Sequence, residues 1–272
     1  MQAELLGVES SAAAWRARLS RVAPALLLAG SRCGGVALQF LLQVVVGGMA
    51  GPAGLGVLQL FASWSSMLGE GLARGLPAWA MRIVAVDTTR DDPARARHDL
   101  QWAVRRIVLL ALAVGLVAGL ALVLAGAWLP PDYYRIAQAV ILAAPLFALL
   151  RLGAEALKGA GQALLAVSIE NLVLPAVVLV VCLICWLLGQ GLELPVLLCA
   201  GVGGMAAALW AVWKAMPVPL QPVSKQRQAP TAPCHDTADV NALWANSLLA
   251  VAFLQLPFLL MPWFAAPEEI GI

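Results

Sequence analysis

Charged residues are scarce in this sequence: 12% of 272 positions, against 62% hydrophobic. A water-soluble domain carries about 25% charged residues. Half of that polar surface is missing here, which excludes an exterior hydrated on all sides. The few charges are also clustered. None falls between Ile107 and Pro131, between Asn171 and Leu192, or between Leu194 and Trp213. Each run supplies the roughly 20 apolar residues that a helix needs to cross a bilayer core. β-Branched residues are too few, and alternation too weak, for a membrane barrel. The expected fold is all-α and membrane-integral, with about seven transmembrane helices.

Chemistry-bearing patterns are equally sparse. There is no phosphate-binding loop, no H-E-x-x-H and no G-x-S-x-G, and both histidines fall in connections, so no catalytic residue and no enzyme are expected. Cys182 and Cys185 form a C-x-x-C inside an apolar helix without a ligand-type neighbour, which reads as packing. Cys234-His235, near Asp236 and Asp239, supplies too few ligands for a metal. Asp91-Asp92, followed by Pro93 among arginines, reads as a solvated loop. No metal, cofactor or nucleic-acid partner is expected, since the net charge is only +2. Leu26 to Gly30 before Cys33 resembles a lipoprotein cleavage site, but Arg32 stands where a small residue is needed. An uncleaved first helix is the reading.

What is present is a series of spans. Residues 1–20 form a cytoplasmic or interfacial segment, with a short interfacial helix expected over Ala12 to Leu19. Helices are predicted over Arg21–Gly48, Leu55–Val84, Val104–Leu129, Tyr134–Lys158, Ala163–Leu188 and Leu194–Met216. Gly51-Pro52 punctuates the first pair, and a hydrophilic loop is expected over Asp87 to Arg97. Pro145 and Pro175 fall inside helices, where they predict kinks. Residues 217–239 form a linker, with five prolines between Pro217 and Pro233. Residues 240–272 hold a seventh helix, Val240–Phe264, and a short end. The six-helix unit thus covers 21–216.

Lys and Arg set the orientation. One set of connections holds Arg16, Arg18, Arg21, Arg82, Arg90, Arg95, Arg97, Arg105, Arg106, Arg151, Lys158, Lys214, Lys225 and Arg227; the other holds Arg135 alone. The amino terminus is therefore expected in the cytoplasm, and seven spans place the carboxyl end outside. Trp79, Trp102, Trp213 and Trp244 fall near predicted inner ends, and Trp128, Tyr133, Tyr134, Trp186 and Trp263 near outer ends, as amphipathic rings do at headgroup level. Trp64 lies too deep and reads as packing.

Ionisable side chains inside hydrocarbon cost about 2.5–3.5 kcal/mol or more and persist when paired or facing water. Arg32 sits roughly 16 Å into the first helix at 1.5 Å per residue. Glu70 and Arg74 are spaced i, i+4, which places them on one face. Arg151 and Glu155 repeat that spacing, with Lys158 one turn on, and Glu170-Asn171 lies near the start of the next helix. If these faces converge, Arg32, Glu70, Arg74, Arg151, Glu155, Glu170 and Asn171 line a polar, net basic cavity for an anionic headgroup. The alternative is a set of interhelical ion pairs that fix packing. Gln39, Gln43 and Gln255 are expected to bond backbone carbonyls.

Several motifs carry a family resemblance. Gly51-Pro52-Ala53-Gly54-Leu55-Gly56 resembles the first outer turn of bacterial polysaccharide flippases. Gly75-Leu76-Pro77-Ala78-Trp79-Ala80-Met81-Arg82 resembles the end of their second helix. Arg151 to Gly161, followed by Glu170-Asn171 and Pro175, resembles their fourth and fifth helices. Glu268-Glu269-Ile270-Gly271-Ile272 resembles the segment that opens their eighth. The chain thus resembles, over most of 15–272, the polysaccharide transport family of the multidrug/oligosaccharidyl-lipid/polysaccharide exporter superfamily. That resemblance implies a transporter of two six-helix lobes in the bacterial inner membrane, moving undecaprenyl-pyrophosphate-linked oligosaccharide between leaflets for polysaccharide or lipopolysaccharide biosynthesis. Arg32 and Arg74 would hold the pyrophosphate. This length supplies one lobe, the linker and the first helix of a second lobe. The expected partners are the bilayer, the lipid-linked glycan, a missing second lobe or a second copy, and polysaccharide assembly proteins. The alternatives are a drug/cation antiporter of the same superfamily, with Glu70 or Glu170 as coupling group, and a non-catalytic membrane scaffold. A membrane glycosyltransferase would need a larger outer loop than this chain has.

Overall fold

The computed structural model describes residues 2–89, 93–126 and 128–216, with 244–246, 249–250 and 253 beyond them. The linker, Gln255 and the carboxyl end lie outside the described residues, as does nearly all of the seventh predicted helix. Every regular element among the described residues is helical: α1 (Gln2–Ala73), α2 (Leu76–Thr89), α3 (Pro93–Ala125), α4 (Pro131–Gly159), α5 (Ala163–Ser168), a π-helical turn (Ile169–Val173), α6 (Leu174–Leu187) and α7 (Leu194–Ala215). Five stretches are long and apolar enough to cross a membrane: Ala25–Ala73, Ala94–Ala125, Pro131–Gly159, Ala163–Leu187 and Leu194–Ala215.

The first stretch has 49 residues, about 74 Å if straight, more than twice a bilayer core. It is not straight. Gly51 adopts φ 70°, ψ −172°, a conformation that only glycine takes without strain, and Pro52 follows with no N–H to offer the preceding turn. The chain reverses there. A methyl built on Gly47 would lie 2.9 Å from Leu55 Cδ1, whereas eight residues of continuous helix span about 12 Å. At the far ends of the two arms, Ser31 Oγ sits 3.0 Å from Ser168 Oγ and Glu70 meets Arg151, which also meets Glu170. Both arms therefore return to the level of residues 168–170.

The second arm ends at a break. Arg74 (φ 48°) and Gly75 (φ 73°) are both left-handed, and Pro77 cannot donate a helical hydrogen bond to Ala73. The helix resumes as α2 and runs to Thr89, and α3 starts at Pro93. The described residues of the loop expected over Asp87 to Arg97 are helix, in α2 and α3, and Asp87, 3% exposed, is buried there rather than solvated, as is Asp99 just beyond; Asp91-Asp92 lies outside the described residues. A separate amphipathic helix over Ala12–Leu19 is not formed either; α1 runs unbroken from Gln2 to the kink.

α4 is the central element. It touches α1, α2, α3, α5 and α7, and its buried positions are dominated by alanine and glycine: Ala139, Ala143, Ala144, Ala148, Gly153, Ala154 and Ala156. Small residues let helix backbones approach where lipid supplies no hydrophobic drive between helices. Gly69 of α1 illustrates the fit, with Phe147 Cδ1 2.6 Å and the Ala144 carbonyl oxygen 3.1 Å from where its Cβ would stand. Cys182 and Cys185 are buried in the core, as the packing reading expects. α3 is the opposite case. Leu116 is 75% exposed and Leu124 71%, and a continuous leucine surface of this kind, on a helix long and apolar enough to cross a membrane, suits hydrocarbon rather than water. The fold is that of a multi-pass membrane protein.

The interfacial aromatics divide. Trp128 is 89% and Trp186 66% exposed at helix ends. Trp79, by contrast, is buried, its ring 5.6 Å from that of Trp102, so it serves packing rather than headgroup contact. Trp64 packs against the core, as expected.

Close approach at α4 predicts an asymmetry between glycines. Gly69→Val forces Phe147 or the α4 backbone aside and lowers stability by about 1–3 kcal/mol. Gly119→Ala, with nothing within 4 Å of the added Cβ, leaves it unchanged or slightly raised. Thermal melting of the two purified variants in one detergent checks this.

Candidate functional site

Arg151 lies on the face of α4 turned to α1 and to the π-helical turn. Its Nε donates to Glu70 Oε1 at 3.0 Å and its Nη1 to Glu170 Oε1 at 3.0 Å. Glu155, one turn along α4, stands 3.7 Å from Nη1. Lys158 closes the cluster, its Nζ 2.8 Å from Glu155 Oε1 and 2.9 Å from Glu170 Oε2. Three segments thus contribute to one network. The helical spacings i+4 and i+3 bring Arg151, Glu155 and Lys158 to one face, and the hairpin at Gly51 returns Glu70 to their level.

Glu170 is presented by local geometry. Pro175 has no N–H, so the carbonyl four residues earlier has no helical donor. The chain meets this by widening into the π turn Ile169–Val173, as helices do where a residue is accommodated beyond the α repeat. Asn171 Nδ2 donates to the Val167 carbonyl at 2.9 Å, consistent with that widening.

Three carboxylates face two cations, so the cluster carries a formal charge of −1 (two positive, three negative). The net basic cavity expected from the sequence is not what these residues form. The guanidinium of Arg151 meets carboxylates through both Nε and Nη1, and Glu70 is only 5% exposed. Of the seven predicted site residues, Glu70, Arg151, Glu155 and Glu170 come together as ion pairs. Lys158, counted in the sequence both among the inner-connection charges and one turn on from Glu155, belongs with them.

The other three lie elsewhere. Arg74 does not share a face with Glu70, because it sits in the left-handed break after the helix ends. Its guanidinium lies 5.8 Å from the centre of the Trp244 ring, within cation–π range. Asn171 lines a groove of about 340 Å³ with Gly35, Val36, Gln39, Phe40 and Gln43. Gln39 and Gln43 line it instead of bonding backbone carbonyls. Gly35 is what lets the wall close, since a Cβ there would fall 2.6 Å from Asn171 Cβ. Arg32 is exposed, four residues before Val36 and so below it on the same flank of α1. It makes no ion pair among the described residues.

Comparison with protein-family models, with curated proteins and with solved structures finds no match. The site is therefore read from its own geometry.

The charge count predicts opposite responses within the network. Arg151→Gln leaves buried Glu70 without its cation and costs about 3 kcal/mol or more. Glu155→Gln removes the surplus negative charge and is tolerated, with a change within about 1 kcal/mol. Folded yield and melting temperature in detergent measure both.

Proposed function

We propose that the chain is the amino-terminal lobe of a flippase for polyprenyl-pyrophosphate-linked oligosaccharide in the bacterial inner membrane. The observation that carries this is the groove of Gln39, Gln43 and Asn171 above exposed Arg32. Exposed amide and guanidinium groups partway along membrane spans cannot face lipid tails, since each would forfeit its hydrogen bonds. They face water or a polar solute. An arginine with a ladder of amides suits a pyrophosphate followed by sugar hydroxyls: the guanidinium takes the anion through paired N–H donors, and amides both donate to and accept from hydroxyls.

In this reading the two arms of α1 are separate spans, the amino terminus is cytoplasmic by the Lys/Arg asymmetry, and six spans precede the seventh beginning near Val240. The groove is half of a cavity. A second lobe, or a second copy of this one, supplies the other half, as repeat-built transporters place their site between halves. The turn at Gly51, the break at Arg74–Gly75 and the π turn at Glu170–Asn171 fall on the motifs that carry the resemblance to polysaccharide flippases, which supports the reading. Arg151, Glu70, Glu155 and Glu170 hold the lobe together, and Arg74 is tied to Trp244; neither set contacts the glycan.

One feature favours a second reading, a proton- or cation-coupled exporter: the surplus negative charge of the Arg151 cluster. Dye efflux from vesicles that collapses with the proton gradient would select it.

The test of the first is genetic. In cells whose only copy of the gene carries Arg32→Ala, surface polysaccharide is expected to fall about tenfold or more, the equivalent of one charge-assisted contact, while Arg32→Lys retains most of it. Normal polysaccharide in the alanine strain, with membrane protein levels unchanged, would sink the reading.

A further inference from the structure

The charged end of α3 carries a second feature, remote from the groove and independent of the transport reading. The apolar run begins at Ile107, so Arg105 and Arg106 stand at headgroup level. Both are exposed. The Arg106 guanidinium lies 5.2 Å from the centre of the Trp102 ring, which anchors it at the interface. Neither arginine has a carboxylate partner among the described residues. The nearest acid on this helix, Asp99, is buried and has His98 Nδ1 at 3.4 Å.

Below the arginines the same helix face is a rail of exposed leucines. At 100° per residue, Trp102, Arg105, Leu109, Leu112 and Leu116 fall within about 80° of one another. Leu109 is 57%, Leu112 65% and Leu116 75% exposed. From Arg105 to Leu116 the axial rise is roughly 16 Å, close to the depth of one leaflet, half of a roughly 30 Å core. An interfacial ring, then unpaired positive charge, then an apolar strip one leaflet long follow one another along this side of the helix, with Arg106 flanking the strip about 100° round from Arg105; charge at the headgroup and an apolar strip below it match the plan of a phospholipid.

We propose that this face of α3 is a binding site for an anionic phospholipid, whose phosphodiester headgroup lies on Arg105 and Arg106 and whose acyl chain lies along Leu109, Leu112 and Leu116. A zwitterionic lipid offers the same chain but a compensated headgroup, so the site discriminates by charge. A free phosphate offers the charge without the chain and is a poor competitor.

The test uses the purified full chain in neutral detergent with equal amounts of dioleoyl-phosphatidylglycerol and dioleoyl-phosphatidylcholine, retained lipid being counted by native mass spectrometry. The wild type is expected to prefer phosphatidylglycerol by roughly tenfold, since each interfacial arginine contributes about fivefold toward an anionic headgroup before screening. The double variant Arg105→Gln/Arg106→Gln loses most of that preference. Arg105→Lys/Arg106→Lys keeps it, which separates charge from folding. Three results would overturn the proposal: equal retention of both lipids by the wild type, an unchanged preference in the glutamine variant, or displacement of phosphatidylglycerol by millimolar inorganic phosphate.

Discussion

Arg151 is the interaction on which the rest of the lobe depends. Its guanidinium reaches Glu70, Glu155 and Glu170, so the hairpin of α1, the central helix and the π turn share one electrostatic centre. Within a membrane, apolar surface supplies little force between helices, because lipid tails are as apolar as leucine. Alignment must come from shape and from polar groups with nowhere else to go. The small residues of α4 supply the shape. The ion cluster fixes the level at which α1 and the π turn meet α4, since Glu70 and Glu170 find cations at one height only. The cost of burying these charges is recovered only while all partners stay in place.

This division also separates paired from unpaired charge. Seven intramembrane polar residues look alike in the sequence, each an expensive side chain in an apolar run. In three dimensions Glu70, Arg151, Glu155 and Glu170 pair with one another and with Lys158, whereas Asn171 lines an exposed groove and Arg32 is exposed one turn before it. The groove wall depends on the cluster, because Asn171 belongs to the turn that Glu170 pins to Arg151. Structural ion pairing and a polar face thus occupy adjacent residues of one π turn, the first holding the second at a set position against Gly35.

Much of the fold was legible in the sequence. Charge-free runs located the long helices of α3, α6 and α7, and Gly51-Pro52 located the reversal, because apolar length and backbone chemistry are local properties. The misreadings have a common cause. Asp87 looks hydrated in sequence, yet it is buried where α2 meets α3, and a contact between two helices has no local signature. Glu70 and Arg74 have the spacing of a helical pair, but the helix ends at Ala73 and Arg74 falls in the left-handed break that Gly75 and Pro77 complete, so the break outweighed the periodicity. Lys158 counts among the inner-connection charges because it lies at the end of a span; its partner Glu170 comes from the following segment. Pairing across segments is what a single sequence conceals.

The π turn at Ile169–Val173 has a consequence for the length of its span. A π turn holds one residue more than the α repeat would place there. The wider turn absorbs that residue, so deleting one residue within it would restore an ordinary helix and keep the faces beyond, whereas deleting one from the regular helix just after it would rotate everything beyond by about 100°. Val178, Cys182 and Cys185, now buried, would swing toward hydrocarbon, and the exposed Val180, Leu183 and Leu187 would turn toward the core. The segment from 163 to 187 is thus defined by its residue count as much as by its composition: the turn can lose its extra residue with the faces kept, but a one-residue indel in the regular helix beyond it turns the second half of the span inside out.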